Sequence, residues 1–263
     1  GCTNFTISTT DAPIVTSANG DYWFYNCNSL GSVDLSGWDV STVIRYENAF
    51  RATNFNPILT GWFHANVFKV RKAFLNNSSW NRSLDGADFS GVTDAYEFMR
   101  NCTGFNSSVA NLSFANNALL FAMFQGCSTF TGIGLDTWDT SNVRSLNRVF
   151  STCYQMNADI SAFDTSNVTD FDYTLHQCDA FRGSLSGWDV NQGTNLTNFM
   201  NGATGTTTAN YDALLIAWDA QGAMSFSGTV NFGGNKYTSG GAAEAARTSL
   251  ITKWGGITDG GAA

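Results

Sequence analysis

Two stretches of the chain share an aromatic–Asp start, a central Val and a terminal Cys: WDTSNVRSLNRVFSTC at residues 138–153 and FDTSNVTDFDYTLHQC at residues 163–178. The apolar residue three positions before that Cys recurs along the chain at spacings of 24 to 26 residues. These anchor positions are Phe24, Phe50, Phe74, Met99, Phe124, Phe150, Leu175 and Met200. A constant period of this length indicates a solenoid, in which each repeat buries its apolar face against its neighbours.

Three further columns keep the same period. A Cys column contains Cys27, Thr53, Asn77, Cys102, Cys127, Cys153, Cys178 and Ala203. An aromatic column contains Trp38, Trp62, Phe89, Phe114, Trp138, Phe163 and Trp188, and Asp follows the aromatic residue at Asp39, Asp139, Asp164 and Asp189. A Val column contains Val43, Val67, Val92, Val143, Val168 and Leu196, and it is interrupted at 118–119.

The spacing within one period predicts two short elements. Val143, Leu146, Val149 and Phe150 have the offsets of a short helix, and the residues that follow alternate like a short strand. We therefore predict an α/β repeat solenoid, a right-handed leucine-rich-repeat-like coil of about eight repeats of ~25 residues over residues 1–204. Residues 205–263, with helices at 211–219 and 242–254, predict a carboxyl-terminal capping segment.

Composition restricts the classes of function. The net charge of −8 argues against nucleic acid and anionic membranes as partners, and no apolar run is long enough for a membrane span. His64 and His176 lie more than four repeats apart, and no catalytic or phosphate-binding motif occurs. We expect a protein that is not an enzyme and has no cofactor.

The columns together resemble a known family. The unit W-D-T-S-N-V…M-F-x-G-C-x-x-F, seen at 123–143 and 138–153, resembles the BspA-like bacterial surface repeat, a variant leucine-rich repeat. The resemblance covers about residues 20–204, although the copies at 50–67 and 74–92 lack Cys and the copy at 99–119 lacks Trp-Asp. It implies an extracellular, cell-surface or virion-surface solenoid that binds a protein or glycan on another surface. Similar arrays occur in phage structural proteins.

The columns have structural interpretations, each with an alternative. The aromatic column predicts a stacked core, and the alternative is an exposed ladder for sugars. The Asp column predicts caps for the following helix, and the alternative is a calcium-binding carboxylate ladder. The Cys column predicts buried thiols, and the alternative is disulfides between neighbours such as Cys2–Cys27 and Cys102–Cys127. The spacing of the Cys residues argues against zinc.

Two hypotheses for function remain. The first is a non-enzymatic adhesion or receptor-binding module, and the second is a structural subunit of a filament, appendage or virion that binds copies of itself head to tail. Cys2 fits one period before Cys27, so the chain begins inside a coil, which predicts a contact at that end unless the chain was cut from a longer one.

Nine sequons offer possible glycosylation sites at Asn4, Asn76, Asn77, Asn81, Asn101, Asn106, Asn111, Asn167 and Asn195.

Overall fold

Parallel backbone pairing joins successive repeats in the computed structural model, which describes residues 13–28, 30–222 and 226–263. One ladder pairs, in order, Asn19, Arg45, Lys69, Asp94, Leu119, Ser145, Asp170 and Asn195. At its centre the strand β1 (Ala118–Leu119) pairs with the strand β2 (Val143–Ser145). Stacked coils require such contacts, and we propose on this basis that the repeats form the predicted solenoid. Its right-handed coiling stays a prediction.

A run of turns takes the place of the short helix expected in each repeat. Alternate backbone N–H groups, those of Leu146, Arg148, Phe150 and Thr152, donate to carbonyls of the next repeat, at Asp170, Asp172, Thr174 and His176. The N–H groups between them, at Val149, Ser151 and Cys153, donate to the carbonyl three residues earlier. Arg148 and Thr152 have φ of 59° and 61°, in the left-handed region, so a right-handed helix cannot continue through them. Within the described part of residues 13–204, the helical element is the 3₁₀ turn Leu135–Thr137.

The columns form a continuous core. The rings of Phe24, Phe50 and Phe74 stack at centroid distances of 5.4 and 5.1 Å, and all three are buried. Trp138, Phe163 and Trp188 stack with interplanar angles of 4° at both steps. Aromatic pairs in such contact stabilise a core beyond their buried area.

The register of two columns differs from the prediction. The backbone N–H of Trp62 donates to Leu59, three residues earlier, and Ala87 makes the same turn with Leu84. Ala87 therefore occupies the aromatic position of its repeat, and Phe89 lies two residues further on. In the next repeat, Ser113 pairs with Asp139, which places Leu112 rather than Phe114 at that position.

The Val column needs a similar correction. The backbone N–H of Gly193 donates to the Val190 carbonyl, in the same kind of turn that Val168 makes with Thr165 one repeat earlier. Gly193, and not Leu196, therefore occupies the Val position of its repeat. The wrong assignment arose because any nearby apolar residue satisfies a column drawn from sequence alone.

Two helices and two strands follow the repeats. They are α1 (Thr208–Asp219), β3 (Gly228–Asn231), α2 (Ala242–Trp254) and β4 (Gly255–Thr258), and β3 pairs in parallel with β4. The two predicted helices are confirmed. The hydroxyl of Thr207 caps α1 by accepting from the N–H of Asn210 at 3.2 Å. Within the described residues, neither helix is long and apolar enough to span a lipid bilayer.

This segment also extends the interactions of the repeats. Met200 donates its backbone N–H to Asn231 of β3, and Phe232 donates to Thr258 of β4. The Trp218 indole of α1 donates to the Leu185 carbonyl at 3.1 Å. The boundary at residue 205 stays a prediction.

Candidate binding surface

The aromatic residues singled out in the sequence face the core. Trp138, Phe163 and Trp188 are buried, and Trp38 is half-buried. The indole N–H of Trp138 donates to the Val109 carbonyl at 2.6 Å, and burial without such a partner would be costly. An exposed Trp ladder for sugars is therefore not present at these four positions.

The Asp residues close turns instead of capping helices. Asp39, Asp139, Asp164 and Asp189 each accept the backbone N–H two residues further on, at 2.9 to 3.1 Å. A turn and not a helix follows each of them, so helix capping was the wrong role for a correctly identified local bond. Asp88, which the sequence reading missed, makes the same turn with Ser90.

These bonds lower the pKa of two of the Asp residues. The Ser141 hydroxyl and backbone N–H lower the pKa of Asp139, and Ser41 does the same for the pKa of Asp39. Among the residues that the structure describes, no cluster of three or more His, Cys, Asp or Glu could hold a metal ion. The geometry therefore gives no support to the calcium alternative.

Four of the Cys residues, Cys102, Cys127, Cys153 and Cys178, are buried thiols that bond to the preceding repeat. Cys27 and the other four are buried, and Cys2 lies outside the described residues. The Sγ atoms of Cys102, Cys127, Cys153 and Cys178 donate to carbonyls of the anchor column in the preceding repeat, at 3.0 to 3.2 Å. These four are not in disulfides, which excludes the Cys102–Cys127 bridge.

We expect these four thiols to be unreactive in the native protein. Burial raises the pKa of Cys127 to about 12 and raises the pKa of Cys102, Cys153 and Cys178 as well, so little thiolate exists near pH 8. Labelling with a chromogenic disulfide reagent should be at least about 100-fold slower than in denaturant, because it requires local opening. Peptide mapping after labelling checks this prediction, and rapid native labelling of any of the four would contradict it.

The sequons differ in accessibility. Asn76, Asn81, Asn101, Asn111 and Asn167 are exposed, Asn106 and Asn195 are half-buried, and Asn4 lies outside the described residues. Asn77 is fully buried, and its Nδ2 donates to the Phe55 carbonyl at 2.8 Å. The proposal of glycosylation at Asn77 is therefore wrong, because a glycan needs that nitrogen exposed.

A different surface emerges from the main ladder. We define the ladder face as the eight-residue segments around the ladder positions, residues 18–25, 44–51, 68–75, 93–100, 118–125, 144–151, 169–176 and 194–201. It contains eight of the ten Lys and Arg of residues 13–204: Arg45, Arg51, Lys69, Arg71, Lys72, Arg100, Arg144 and Arg148. It has six acidic residues, whereas the rest of the repeats has ten acidic residues against two cations. The ladder face is thus the side of mixed charge on an otherwise acidic array.

Exposed aromatic and aliphatic side chains share the ladder face with these cations. Tyr22, Phe68 and Leu119 are 56%, 40% and 45% exposed. The Tyr96 and Phe121 rings stack in parallel at 4.6 Å, and the Arg71 guanidinium lies 4.3 Å from the centre of the Tyr96 ring. The ladder face therefore carries a pair of stacked aromatic rings with a cation over one of them.

Contacts between repeats hold these side chains in place. Arg71 Nε is 2.9 Å from Asp94 Oδ2, and Lys69 Nζ is 2.6 Å from Glu47 Oε2. In the later repeats the Arg148 guanidinium lies 3.9 Å from the centre of the Tyr173 ring. Side chains restrained in this way lose less conformational freedom on binding a partner.

One Ser–His pair on the ladder face does not form a hydrolytic site. Ser151 Oγ lies 3.1 Å from His176 Nδ1, and burial and Arg148 lower the pKa of His176. Ser151 is only 1% exposed, so a substrate cannot reach its hydroxyl. The pair is best explained as a bond between adjacent repeats.

Comparison with known proteins identifies one family. Its model, described as Mycoplasma protein of unknown function, DUF285, matches residues 18–133 and again residues 118–232. The two matches start four repeat periods apart and together cover well over half of the chain. Neither the curated proteins nor the solved structures give a match. The chain therefore belongs to the family described as Mycoplasma protein of unknown function, DUF285.

Proposed function

We propose that the chain is a non-enzymatic recognition module that binds a protein or glycan on another surface through the ladder face. The observation that carries this proposal is that eight of the ten cations and three of the four exposed aromatic residues of the described repeats lie on the ladder face of an acidic array. Arg, Tyr and Phe are enriched at protein interfaces, and Tyr and Arg dominate their binding energy. The acidic remainder of the repeats disfavours nonspecific association with nucleic acid and anionic lipid.

The resemblance to BspA-like surface repeats supports the same proposal. It extends the proposal to an extracellular setting, on a cell or a virion. The exposed rings of Tyr22 and Phe68 suit either class of partner, because an aromatic face packs against a sugar ring as well as against an apolar side chain.

Exposed residues of the ladder face offer a sharp test of this function. A screen of immobilised extracellular proteins and glycans first identifies a partner, and Leu119→Asp should then weaken binding at least about tenfold, a loss of ~1.4 kcal/mol. Leu119 is 45% exposed, so the change should leave the fold intact. Surface plasmon resonance against the identified partner measures the effect.

A matched control lies outside the ladder face. Ile133 is 48% exposed, and Ile133→Asp should leave binding unchanged. The proposal fails if the screen returns no partner or if both variants weaken binding equally. Concentration-dependent association of the pure chain in sedimentation, lost in Leu119→Asp, would favour the alternative of a self-assembling structural subunit.

A further inference from the structure

A cleft outside the ladder face lies between residues 58–63 and 80–87. Its volume is about 510 Å³, within the range of small-molecule sites. Leu59, Phe63 and Leu84 contribute apolar walls, and Arg82 and Asp85 contribute charges of opposite sign. Gly61 also lines the cleft, with open space where a Cβ would lie.

The repeat pattern explains why the cleft exists. In other repeats the aromatic position holds a large side chain that packs over the preceding repeat. Trp62 donates its indole N–H to the Leu35 carbonyl at 2.9 Å, and Trp188 donates to the Ile160 carbonyl at 2.9 Å. Ala87 occupies this position in its own repeat and lines the cleft beside Trp80, so the large side chain that Trp, Phe163 or Leu112 supplies elsewhere is absent there.

The backbone carbonyls that face this position differ in the number of hydrogen bonds that they accept. The Leu35 carbonyl accepts two bonds, from the Trp38 backbone and the Trp62 indole, and the Ile160 carbonyl likewise accepts two. Among the contacts of the described residues, the equivalent Leu59 carbonyl accepts a single bond, from the Trp62 backbone at 3.1 Å, as does the Leu135 carbonyl, where Phe163 stands in place of a Trp. A carbonyl oxygen has two lone pairs, so that of Leu59 retains an acceptor site beside the cleft.

We propose that the cleft binds a small molecule that carries an indole ring, in the place that a Trp side chain takes in four other repeats. The ring packs between the apolar walls, and its N–H donates to the Leu59 carbonyl. Arg82, which also donates to Ser32 Oγ, and Asp85, which also accepts from the Ala110 N–H, bind the carboxylate and ammonium groups that such a ring carries in a free amino acid. The shared chemistry is the indole, whether it comes from a free amino acid or from a residue within a peptide.

Filling the cleft with the chain's own side chain tests this proposal. Saturation-transfer NMR with indole should detect binding to the wild type, and Ala87→Trp should weaken it at least tenfold while raising the melting temperature by about 2–4 °C. Ala87→Phe is a second blocking variant that fills the ring position without an N–H. Ala162→Trp adds an indole at an exposed alanine and should leave indole binding unchanged.

Related probes separate the parts of the proposal. 1-Methylindole lacks the N–H and should bind about 3- to 10-fold more weakly than indole. Tighter binding of L-tryptophan than of N-acetyl-L-tryptophanamide would identify the free amino acid as the source, and the reverse order would identify a peptide. The proposal fails if millimolar indole gives no saturation transfer, or if both Ala87 variants fold and keep wild-type affinity. Leu119→Asp should not alter indole binding, so this test is independent of the ladder face.

Discussion

Phe150→Ala is expected to lower the free energy of unfolding by about 3–5 kcal/mol. The Phe150 side chain is fully buried, and its ring stacks on Phe124 at 6.2 Å. Its carbonyl also accepts the Cys178 thiol from the next repeat, so collapse around the new cavity would disturb a second column. The surrounding repeats are fixed by backbone hydrogen bonds on both sides, which limits relaxation into the cavity. Urea unfolding followed by circular dichroism measures the loss.

Phe68→Ala provides the matched control. Phe68 is 40% exposed on the ladder face, so the same truncation should cost less than about 1 kcal/mol. Equal losses for the two variants would contradict the assignment of the anchor column to the core.

Asp259→Asn is expected to lower the free energy of unfolding by about 2–3 kcal/mol, because it removes a buried carboxylate that balances the charge of the half-buried Arg247 guanidinium. The Asp259 side chain is only 2% exposed and accepts from Arg247 Nε at 2.7 Å and from the Tyr211 hydroxyl at 2.8 Å. These bonds join α1 and α2 to the chain that follows β4. Thermal unfolding at neutral pH measures the effect.

The same variant predicts a dependence on pH. Burial raises the pKa of Asp259, but hydrogen bonds from Arg247 and Tyr211 outweigh it, so the net pKa is lowered. A lowered pKa gives stability that is present above the unfolded value, about 4, and is lost as the pH falls through the folded value. The difference between wild type and Asp259→Asn should therefore shrink below about pH 4.

The more exposed ion pair of Asp219 with Lys253 is the control. Their side chains are 26% and 38% exposed, and Asp219→Asn should cost less than about 1 kcal/mol. A constant difference between wild type and Asp259→Asn from neutral pH down to pH 3 would show that the carboxylate charge is not what stabilises this cluster.

The sequence predicted the period and the two late helices because both depend on local apolar spacing. Helix α2 has the predicted bounds, since an Ala-rich run after Gly240 and Gly241 has few competing conformations. The short helix in each repeat was wrong for a specific reason. Leu146, Val149 and Phe150 point inward in the run of turns as they would in a helix, so their spacing does not distinguish the two.

The ladder face could not be predicted from column similarity. Its defining residues change identity from repeat to repeat: Arg71, Tyr96 and Phe121 succeed one another at one position. A search for the same residue type at every period does not detect such a position. The count of cations by position within the period is the signal that would have found it. The cleft at Ala87 was hidden by the assignment of Phe89 to the aromatic column.

The alternating hydrogen bonds between repeats have a consequence for how such a chain can change in length. From Leu146 to Thr152, every second backbone N–H donates to a carbonyl of the next coil. Whether a residue stands at an odd or an even place in this run (its parity) therefore decides whether its N–H bonds to the neighbouring coil or to its own. Inserting one residue there would exchange the two classes and break the match with both adjacent coils. The observed variation in anchor spacing, from 24 to 26 residues, falls outside this run of turns, in the part of the coil that follows the Cys column. Duplication or loss of a whole coil preserves parity, so arrays of this kind can grow and shrink in complete units without redesign of their neighbours.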